Sequence, residues 1–190
     1  LAELLGELNI HEPITLCGLS MGGYIAFEFL RRHRQRLGRL VLCDTRAAGD
    51  APEARAKRFD TADRVTREGT DFLATAMLER LYAPQTLQQR PDLIAETRDV
   101  IRRAPRGGVA AASRGMAERI DATPLLPDID FPALVVCGEH DVITPRAEMS
   151  DMAGKMPSAQ FVVLAEAGHM APQEQPAAFN HALAHFLQNV

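Results

Sequence analysis

Four short runs of apolar residues recur along the chain, and stretches with helical spacing of apolar positions separate them. The runs are Ile14–Cys17, Leu40–Cys43, Ala133–Cys137 and Phe161–Leu164, and each leads into a loop that contains glycine or aspartate. Their apolar positions are continuous rather than alternating, which indicates strands that are covered on both faces. Strands of this kind separated by helices predict parallel β-α units and therefore an α/β fold with a parallel sheet.

Two predicted helices have an apolar stripe that can cover such a sheet. The helix after the first strand carries its stripe at Ile25, Ala26, Phe29 and Leu30. The last helix is predicted to start at Pro176, a favourable first helical position, and to bury a stripe formed by Phe179, Ala182, Leu183, Phe186 and Leu187.

A long stretch without a convincing strand lies between the second and third runs. It is predicted to hold about four helices, which begin near Pro52, Thr70, Pro91 and Pro105, and to end in a linker at Thr123–Pro127. These helices could be simple crossovers, but the stretch is too long for one crossover. We therefore expect a lid over the carboxyl edge of the sheet, where open α/β sheets bind ligands. The predicted organisation is a core of residues 1–45 and 128–190 with a helical cap at 46–127.

Composition limits the classes of partner. The chain has 190 residues, of which 46% are hydrophobic, and a formal net charge of −4. The hydrophobic content is enough for one core with a small appendage. The net charge provides no positive potential that would attract nucleic acid or anionic lipid. No apolar stretch approaches the roughly 20 residues that span a bilayer, and the acidic first residues are unlike a signal peptide. We expect neither a nucleic-acid nor a membrane partner.

The three cysteines are predicted to be small buried thiols. Cys17, Cys43 and Cys137 each lie in an apolar run, and none is within four residues of another. This spacing is typical of neither a zinc site nor a disulfide framework. A reducing compartment, the cytoplasm, is therefore expected.

The sequence Gly18-Leu19-Ser20-Met21-Gly22-Gly23 directly follows the first predicted strand and precedes a helix. A serine on such a tight strand-to-helix turn has a strained backbone, so its neighbours must be nearly free of side-chain bulk. The turn lifts the Ser20 hydroxyl clear of the sheet. It also directs the backbone N–H of Met21 toward the position where an oxyanion would form.

A serine nucleophile needs a base and an acid that orients the base, and both must come from loops at the same edge of the sheet. Asp141 follows the third predicted strand and His169 follows the fourth, in the chain order typical of this arrangement. Asp44 follows the second strand and is the alternative acid. The pattern around Asp141 favours Asp141.

Three segments carry a resemblance to a known family. They are Leu-Cys-Gly-Leu-Ser-Met-Gly-Gly, Val-Val-Cys-Gly-Glu-His-Asp-Val-Ile-Thr-Pro and Gly-His-Met-Ala-Pro-Gln-Glu-Gln-Pro. Together they resemble the α/β-hydrolase superfamily, in particular its branch with short helical caps that includes esterases, enol-lactonases and carbon–carbon bond hydrolases. The resemblance implies that Ser20 is the nucleophile, Asp141 the triad acid, His169 the base and Met21 N–H an oxyanion donor. It implies no metal and no organic cofactor.

The resemblance also implies strands before the first run, and a loop after one of them that donates a second oxyanion N–H. No such segment is present, since His11 is followed by Glu12-Pro13 rather than by glycine. Two hypotheses follow. The first is a serine hydrolase that cleaves a small carboxylic ester or lactone through an acyl-enzyme. The second is a ligand-binding or interaction protein that keeps the hydrolase fold and the triad residues but has little catalytic activity.

Other histidines are expected to have no catalytic role. His181 and His185 are four residues apart on the last helix, but without a His-Glu-x-x-His pattern they are predicted to face solvent rather than a metal. His140 is expected to be structural. Met21 and Met170 flank the catalytic residues and are candidates for lining the site.

The first strand predicts self-association. Without earlier strands, Ile14–Cys17 is an edge with apolar side chains on both faces, and no lysine or proline within the run protects it. The stripe of Leu1, Leu4, Leu5 and Leu8 in the first helix would then leave an apolar patch. We expect a homodimer or a larger assembly joined near this strand and helix.

Overall fold

The computed structural model describes residues 1–189 and contains one sheet of four parallel strands in the spatial order β1-β2-β3-β4. The strands are β1 (Ile14–Leu19), β2 (Leu37–Cys43), β3 (Ala133–Gly138) and β4 (Ala159–Leu164). Each strand extends beyond the apolar run that predicts it, because backbone pairing continues past the buried side chains. The predicted α/β fold with a parallel sheet is confirmed.

Ten α-helices surround this sheet within the described chain. They are α1 (Ala2–Glu7), α2 (Met21–His33), α3 (Pro52–Glu68), α4 (Asp71–Leu81), α5 (Pro84–Gln89), α6 (Pro91–Arg103), α7 (Arg106–Ala117), α8 (Arg146–Gly154), α9 (Ala171–Glu174) and α10 (Pro176–Gln188). Short 3₁₀ helices cover Arg34–Arg36 and Thr123–Asp128. Over residues 1–189, no helix combines the length and the apolar character that a bilayer crossing requires.

The two faces of the sheet carry separate apolar cores, and alternate residues of β2 and β3 enter each core. On one face, Leu42 and Val135 pack with buried side chains of α1, α2 and α8. On the other face, Val41 and Val136 pack with Phe186 of α10, which is fully buried. Burying a side chain of this size contributes about 1.5–3 kcal/mol. The core therefore fixes β2 and β3 firmly, and with them the loops at their carboxyl ends.

The predicted helix stripes are right in outline and wrong at two positions. In α2 the buried stripe includes Ala26, Phe27 and Leu30, whereas Ile25 is 51% exposed. Ile25 lies one residue before Ala26 and so is rotated about 100° from the buried line. Leu187 of α10 is 39% exposed for the same reason, since it follows the buried Phe186.

The insertion between β2 and β3 holds five α-helices, where the sequence predicts about four. The additional helix is α5, which has only six residues and one buried side chain, Thr86, so it has no apolar stripe to reveal it. The predicted linker is wrong as well. Thr123–Asp128 forms a 3₁₀ helix that packs Leu126, which is 1% exposed, into the sheet core.

The prediction that all three cysteines are buried is wrong for Cys17. Cys43 and Cys137 are buried, but Cys17 is exposed. Within the described chain β1 pairs only with β2, so one side of the strand has no neighbouring strand to cover it. A side-chain hydrogen bond with Cys43 lowers the pKa of Cys17 to about 7.

Candidate active site

Ser20 lies at the tip of a strained turn between β1 and α2. Its backbone has φ 51° and ψ −112°, in a region that residues other than glycine rarely adopt. The turn is closed by the Ser20 N–H, which donates to the Cys43 carbonyl at 2.9 Å, and by the Thr45 hydroxyl, which donates to the Ser20 carbonyl at 2.7 Å. Contacts with the end of β2 and with the loop that follows it therefore hold the nucleophile candidate in place.

The expectation of small neighbours around Ser20 is right for two glycines and wrong for one. A side chain on Gly18 would meet the Gly22 carbonyl oxygen at 2.4 Å, and one on Gly23 would meet Thr45 Oγ1 at 2.3 Å. A side chain on Gly22 would meet nothing within 4 Å in the described chain. Packing of β1 and Thr45 against the start of α2 therefore requires glycine at Gly18 and Gly23, but not at Gly22.

His169 connects Ser20 to Asp141. Its Nε2 lies 2.7 Å from Ser20 Oγ, and its Nδ1 lies 2.8 Å from Asp141 Oδ2. An ionised carboxylate only accepts, so Nδ1–H donates to Asp141, and Nε2 is left to accept the Ser20 hydroxyl proton. His169 is 2% exposed and Asp141 is 5% exposed, so the bond between them is shielded from water, whereas the bond to Ser20 is partly buried. The loops after β3 and β4 thus bring these two side chains to the end of β1.

The Asp141 carboxylate is saturated with hydrogen-bond donors. Its Oδ1 accepts from the Ile143 and Thr144 N–H groups at 2.7 and 3.0 Å. Its Oδ2 accepts from the Thr144 hydroxyl at 2.5 Å as well as from His169. Burial by itself would raise the pKa of Asp141, but the hydrogen bonds and positive charge of His169, together with Thr144, hold it below its usual range. Asp141 is therefore ionised when His169 needs a partner.

The Met21 backbone N–H is available beside Ser20. Met21 is the first residue of α2, and a helix leaves its first N–H groups without an intrahelical acceptor. The positive end of the helix dipole adds to the attraction that this N–H offers an anion. Met21 also borders a cavity of about 910 Å³, which neither Ser20 nor His169 lines.

Comparisons with known proteins show the family to which the chain belongs. A family profile described as the alpha/beta hydrolase fold matches residues 1–176. The chain belongs to the α/β-hydrolase family. A thermophilic esterase from Thermogutta terrifontis, solved with malate bound, is 48% identical, with a TM-score of 0.96 over 98% of this chain and 69% of that one. The enol-lactonase from Burkholderia xenovorans LB400 is 32% identical, with a TM-score of 0.88 and the same two coverages.

A curated relative points to the same branch of the α/β hydrolases. The 3-oxoadipate enol-lactonase 2 of Acinetobacter baylyi is 29% identical over 181 residues, which cover 95% of this chain and 65% of that protein. The chain therefore spans about two thirds of the length of these relatives. The predicted membership in the esterase and enol-lactonase branch of the α/β hydrolases is confirmed.

Asp44, the alternative acid, does not contact His169 in this α/β hydrolase. It is fully buried beneath the triad, and its Oδ1 accepts from the Gly138 N–H at 2.8 Å. Burial raises the pKa of Asp44 to about 8, and the charge of Asp141 acts in the same direction, against hydrogen bonds from Gly138 and Ala171. Asp44 Oδ2 has no hydrogen-bond partner among the described residues. The raised pKa of Asp44 favours its protonated form near pH 7.

The remaining histidines lie outside the site. His181 and His185 are exposed on α10. The His140 ring is half exposed beside Glu139, although its backbone N–H donates to the Ala167 carbonyl. Met170 packs against the insertion helices rather than facing solvent.

Sequence reasoning missed two polar side chains that shape the site. Thr144 donates from both its hydroxyl and its N–H to Asp141, and Glu174 is buried beside Gly168. Both belong to segments that carry the family resemblance. A polar residue three positions after the acid, and a glutamate five positions after the base, are the signals that could have found them.

Proposed function

We propose that the chain is a serine hydrolase that cleaves a carboxylic ester or lactone through an acyl-enzyme. The observation that carries this proposal is the continuous hydrogen-bonded line Ser20–His169–Asp141, with heavy-atom distances of 2.7 and 2.8 Å. Such a line turns a weak alcohol nucleophile into one that loses its proton as it attacks. The esterase and enol-lactonase relatives supply the substrate class, since both act on acyl–oxygen bonds.

In the proposed reaction, Ser20 Oγ attacks the acyl carbon while His169 Nε2 takes the hydroxyl proton. Asp141 holds the imidazole in the Nδ1–H form and stabilises the imidazolium that results. The Met21 N–H donates to the oxyanion of the tetrahedral intermediate. Collapse of this intermediate breaks the acyl–oxygen bond, and His169 returns the proton to the departing alkoxide. Water, deprotonated by His169, then releases the acid and restores Ser20. These steps require no cofactor.

We further propose that residues 46–127 act as the cap of a core formed by 1–45 and 128–190. Support comes from an apolar cluster of insertion side chains around Leu81 and Tyr82, against which Ile143 and Met170 pack. Ile143 follows Asp141 by two residues, and Met170 directly follows His169. A cap in this position would determine which acyl groups reach Ser20. The proposed location is the cytoplasm, where exposed Cys17 would remain a thiol.

Hydrolysis of p-nitrophenyl acetate and butyrate at micromolar protein tests the proposal. The wild-type chain should release p-nitrophenol well above the buffer rate, and Ser20→Ala should remove that activity. Ser150→Ala makes the same change on the exposed side of α8 and should leave the rate unchanged. Equal rates for wild type and Ser20→Ala would favour the second hypothesis, a binding protein that keeps the hydrolase shell.

A further inference from the structure

One buried carboxylate ties the loop that carries His169 to the helical insertion. Glu174 is 6% exposed, and its two oxygens accept hydrogen bonds from two separate parts of the chain. Oε1 accepts from the Gly168 N–H at 2.7 Å, and Oε2 accepts from the Ala83 N–H at 2.9 Å. Gly168 directly precedes His169, and Ala83 directly precedes α5. The carboxylate therefore fixes the histidine loop against the insertion.

The two backbones are also in direct contact at this point. A side chain on Gly168 would lie 2.6 Å from the Ala83 nitrogen and 2.8 Å from the Tyr82 carbonyl carbon, so no side chain fits there. On the other side of His169, the Met170 N–H donates to the Leu81 carbonyl at 3.0 Å. His169 is thus held between two neighbours that both contact the insertion.

Further bonds extend this attachment along α9. The Tyr82 hydroxyl donates to Gln173 Oε1 at 2.9 Å. The Arg90 guanidinium donates to the backbone carbonyls of Gln173 and Glu174 at 3.0 and 3.3 Å. Among these hydrogen bonds between α9 and its surroundings, the bond from Gly168 to Glu174 is the one that involves the residue directly before His169.

The choice of a carboxylate points to positioning rather than to packing. Both partners of Glu174 are N–H donors, so both of its oxygens must accept. Glutamine would present an NH₂ group to one of them, and an apolar residue would leave both N–H groups unsatisfied. Within residues 1–189 no cation forms a salt bridge with Glu174, and its two oxygens are instead satisfied by these two hydrogen bonds. Burying a carboxylate costs more free energy than burying an apolar side chain of similar size, so packing alone does not explain a glutamate here.

We propose that Glu174 is a positioning residue, which aligns His169 with Ser20 and couples that alignment to the position of the insertion at Leu81–Ala83. This inference rests on the proposed function, because alignment of His169 affects a rate only if His169 is the base. The insertion then does more than shape a binding cavity. Any displacement of its 81–83 segment moves Gly168 and, with it, the imidazole.

Glu174→Gln tests this role, with Glu166→Gln as the matched control. Glu166 is exposed and lies in the loop that carries His169, and its substitution by glutamine removes the same carboxylate. Glu174→Gln should lower kcat by about 10- to 100-fold with KM nearly unchanged, because a small displacement of the base affects the chemical step. The downfield proton resonance of the His169 Nδ1–H bond to Asp141 should shift or broaden. Glu166→Gln should leave both readouts at wild-type values.

A folded Glu174→Gln variant with wild-type kcat and a wild-type resonance would overturn the proposal. If that variant does not fold, amide hydrogen exchange in the wild-type chain tests whether Glu174 attaches the histidine loop to the insertion. The Ala83 and Gly168 amide protons should exchange slowly and with the same free energy of opening, because one carboxylate holds both. Fast exchange at Gly168 would refute the attachment. The resonance and the exchange rates need no substrate, so they are informative even if the chain proves to be no hydrolase.

Discussion

At the scale of single residues, two buried aspartates at the ends of neighbouring strands have pKa values shifted in opposite directions. Asp141 receives four hydrogen bonds and is ionised, whereas Asp44 receives fewer and has a pKa raised to about 8. Two ionised carboxylates side by side in a core would repel each other strongly. A single negative charge in the pair is the lower-energy state, and it lies on the residue that contacts His169.

This assignment predicts unequal effects of two matched substitutions on activity. Asp141→Asn should lower kcat by roughly 10⁴-fold, because the amide lets the imidazole take the wrong tautomer. Asp44→Asn should cost far less, because Asp44 does not contact His169 and the asparagine oxygen can still accept from the Gly138 N–H. Steady-state hydrolysis of a p-nitrophenyl ester measures both. A larger loss for Asp44→Asn would make Asp44 the acid of the triad.

The raised pKa of Asp44 also predicts a pH-dependent effect on stability. The folded value of about 8 exceeds the unfolded value of 3.8, so the folded state binds the extra proton, and wild-type stability falls as pH rises between these values. Asparagine does not titrate. Asp44→Asn should therefore gain free energy of unfolding relative to wild type from pH 5 to pH 8, by up to about 1.4 kcal/mol per pH unit. Urea titrations at pH 5 and pH 8 measure the difference in free energy of unfolding between Asp44→Asn and wild type. A difference that is equal at the two pH values would show that Asp44 is ionised in the folded state.

At the scale of secondary-structure elements, a buried ion network joins the loop after β2 to α3 and to the end of α7. The Asp50 side chain is 2% exposed and pairs with Arg58 and with Arg119, whose Nη2 lies 2.8 Å from Oδ1. The same two helices are also joined by Arg114 and Asp63 at 2.8 Å, where both side chains are about half exposed. The two pairs differ mainly in burial.

Asp50→Ala should therefore lower the free energy of unfolding by about 3 kcal/mol or more, because it leaves the buried Arg119 without its partner. Asp63→Ala, the exposed control, should cost less than about 1 kcal/mol. Urea unfolding of the three proteins compares them. Similar losses for both variants would mean that burial does not determine the strength of the network.

What the sequence could predict depends on the range of the interaction. The four strands follow from local apolar patterning and the start of α10 from Pro176, whereas Ser20, Asp141 and His169 follow from their place after strands. The six-residue α5 has no local pattern of its own. The Glu174 contact joins residues 91 positions apart, and only the folded backbone brings them together. A contact of this range has no signal in the local sequence pattern.

At the scale of the whole molecule, β1 and α1 present an open apolar surface in the described chain. Leu1, Leu4 and Leu8 are each at least half exposed, and β1 pairs only with β2. Exposed strand edges favour pairing with another chain. We predict that the 190-residue chain self-associates, and that Thr15→Lys on exposed Thr15 weakens this association. Size-exclusion chromatography with light scattering measures it. A stable monomer near 21 kDa for the wild type would refute the prediction.

The most direct test of the account is the location of a fluorophosphonate adduct. Among the serines of residues 1–189, only Ser20 has a base within 2.7 Å, so the probe should label Ser20 alone. His169→Ala should remove that labelling while the chain remains folded. Peptide mass spectrometry of the labelled wild-type chain gives the position. An adduct on Ser113, Ser150 or Ser158, or Ser20 labelling that persists in His169→Ala, would contradict the proposed triad.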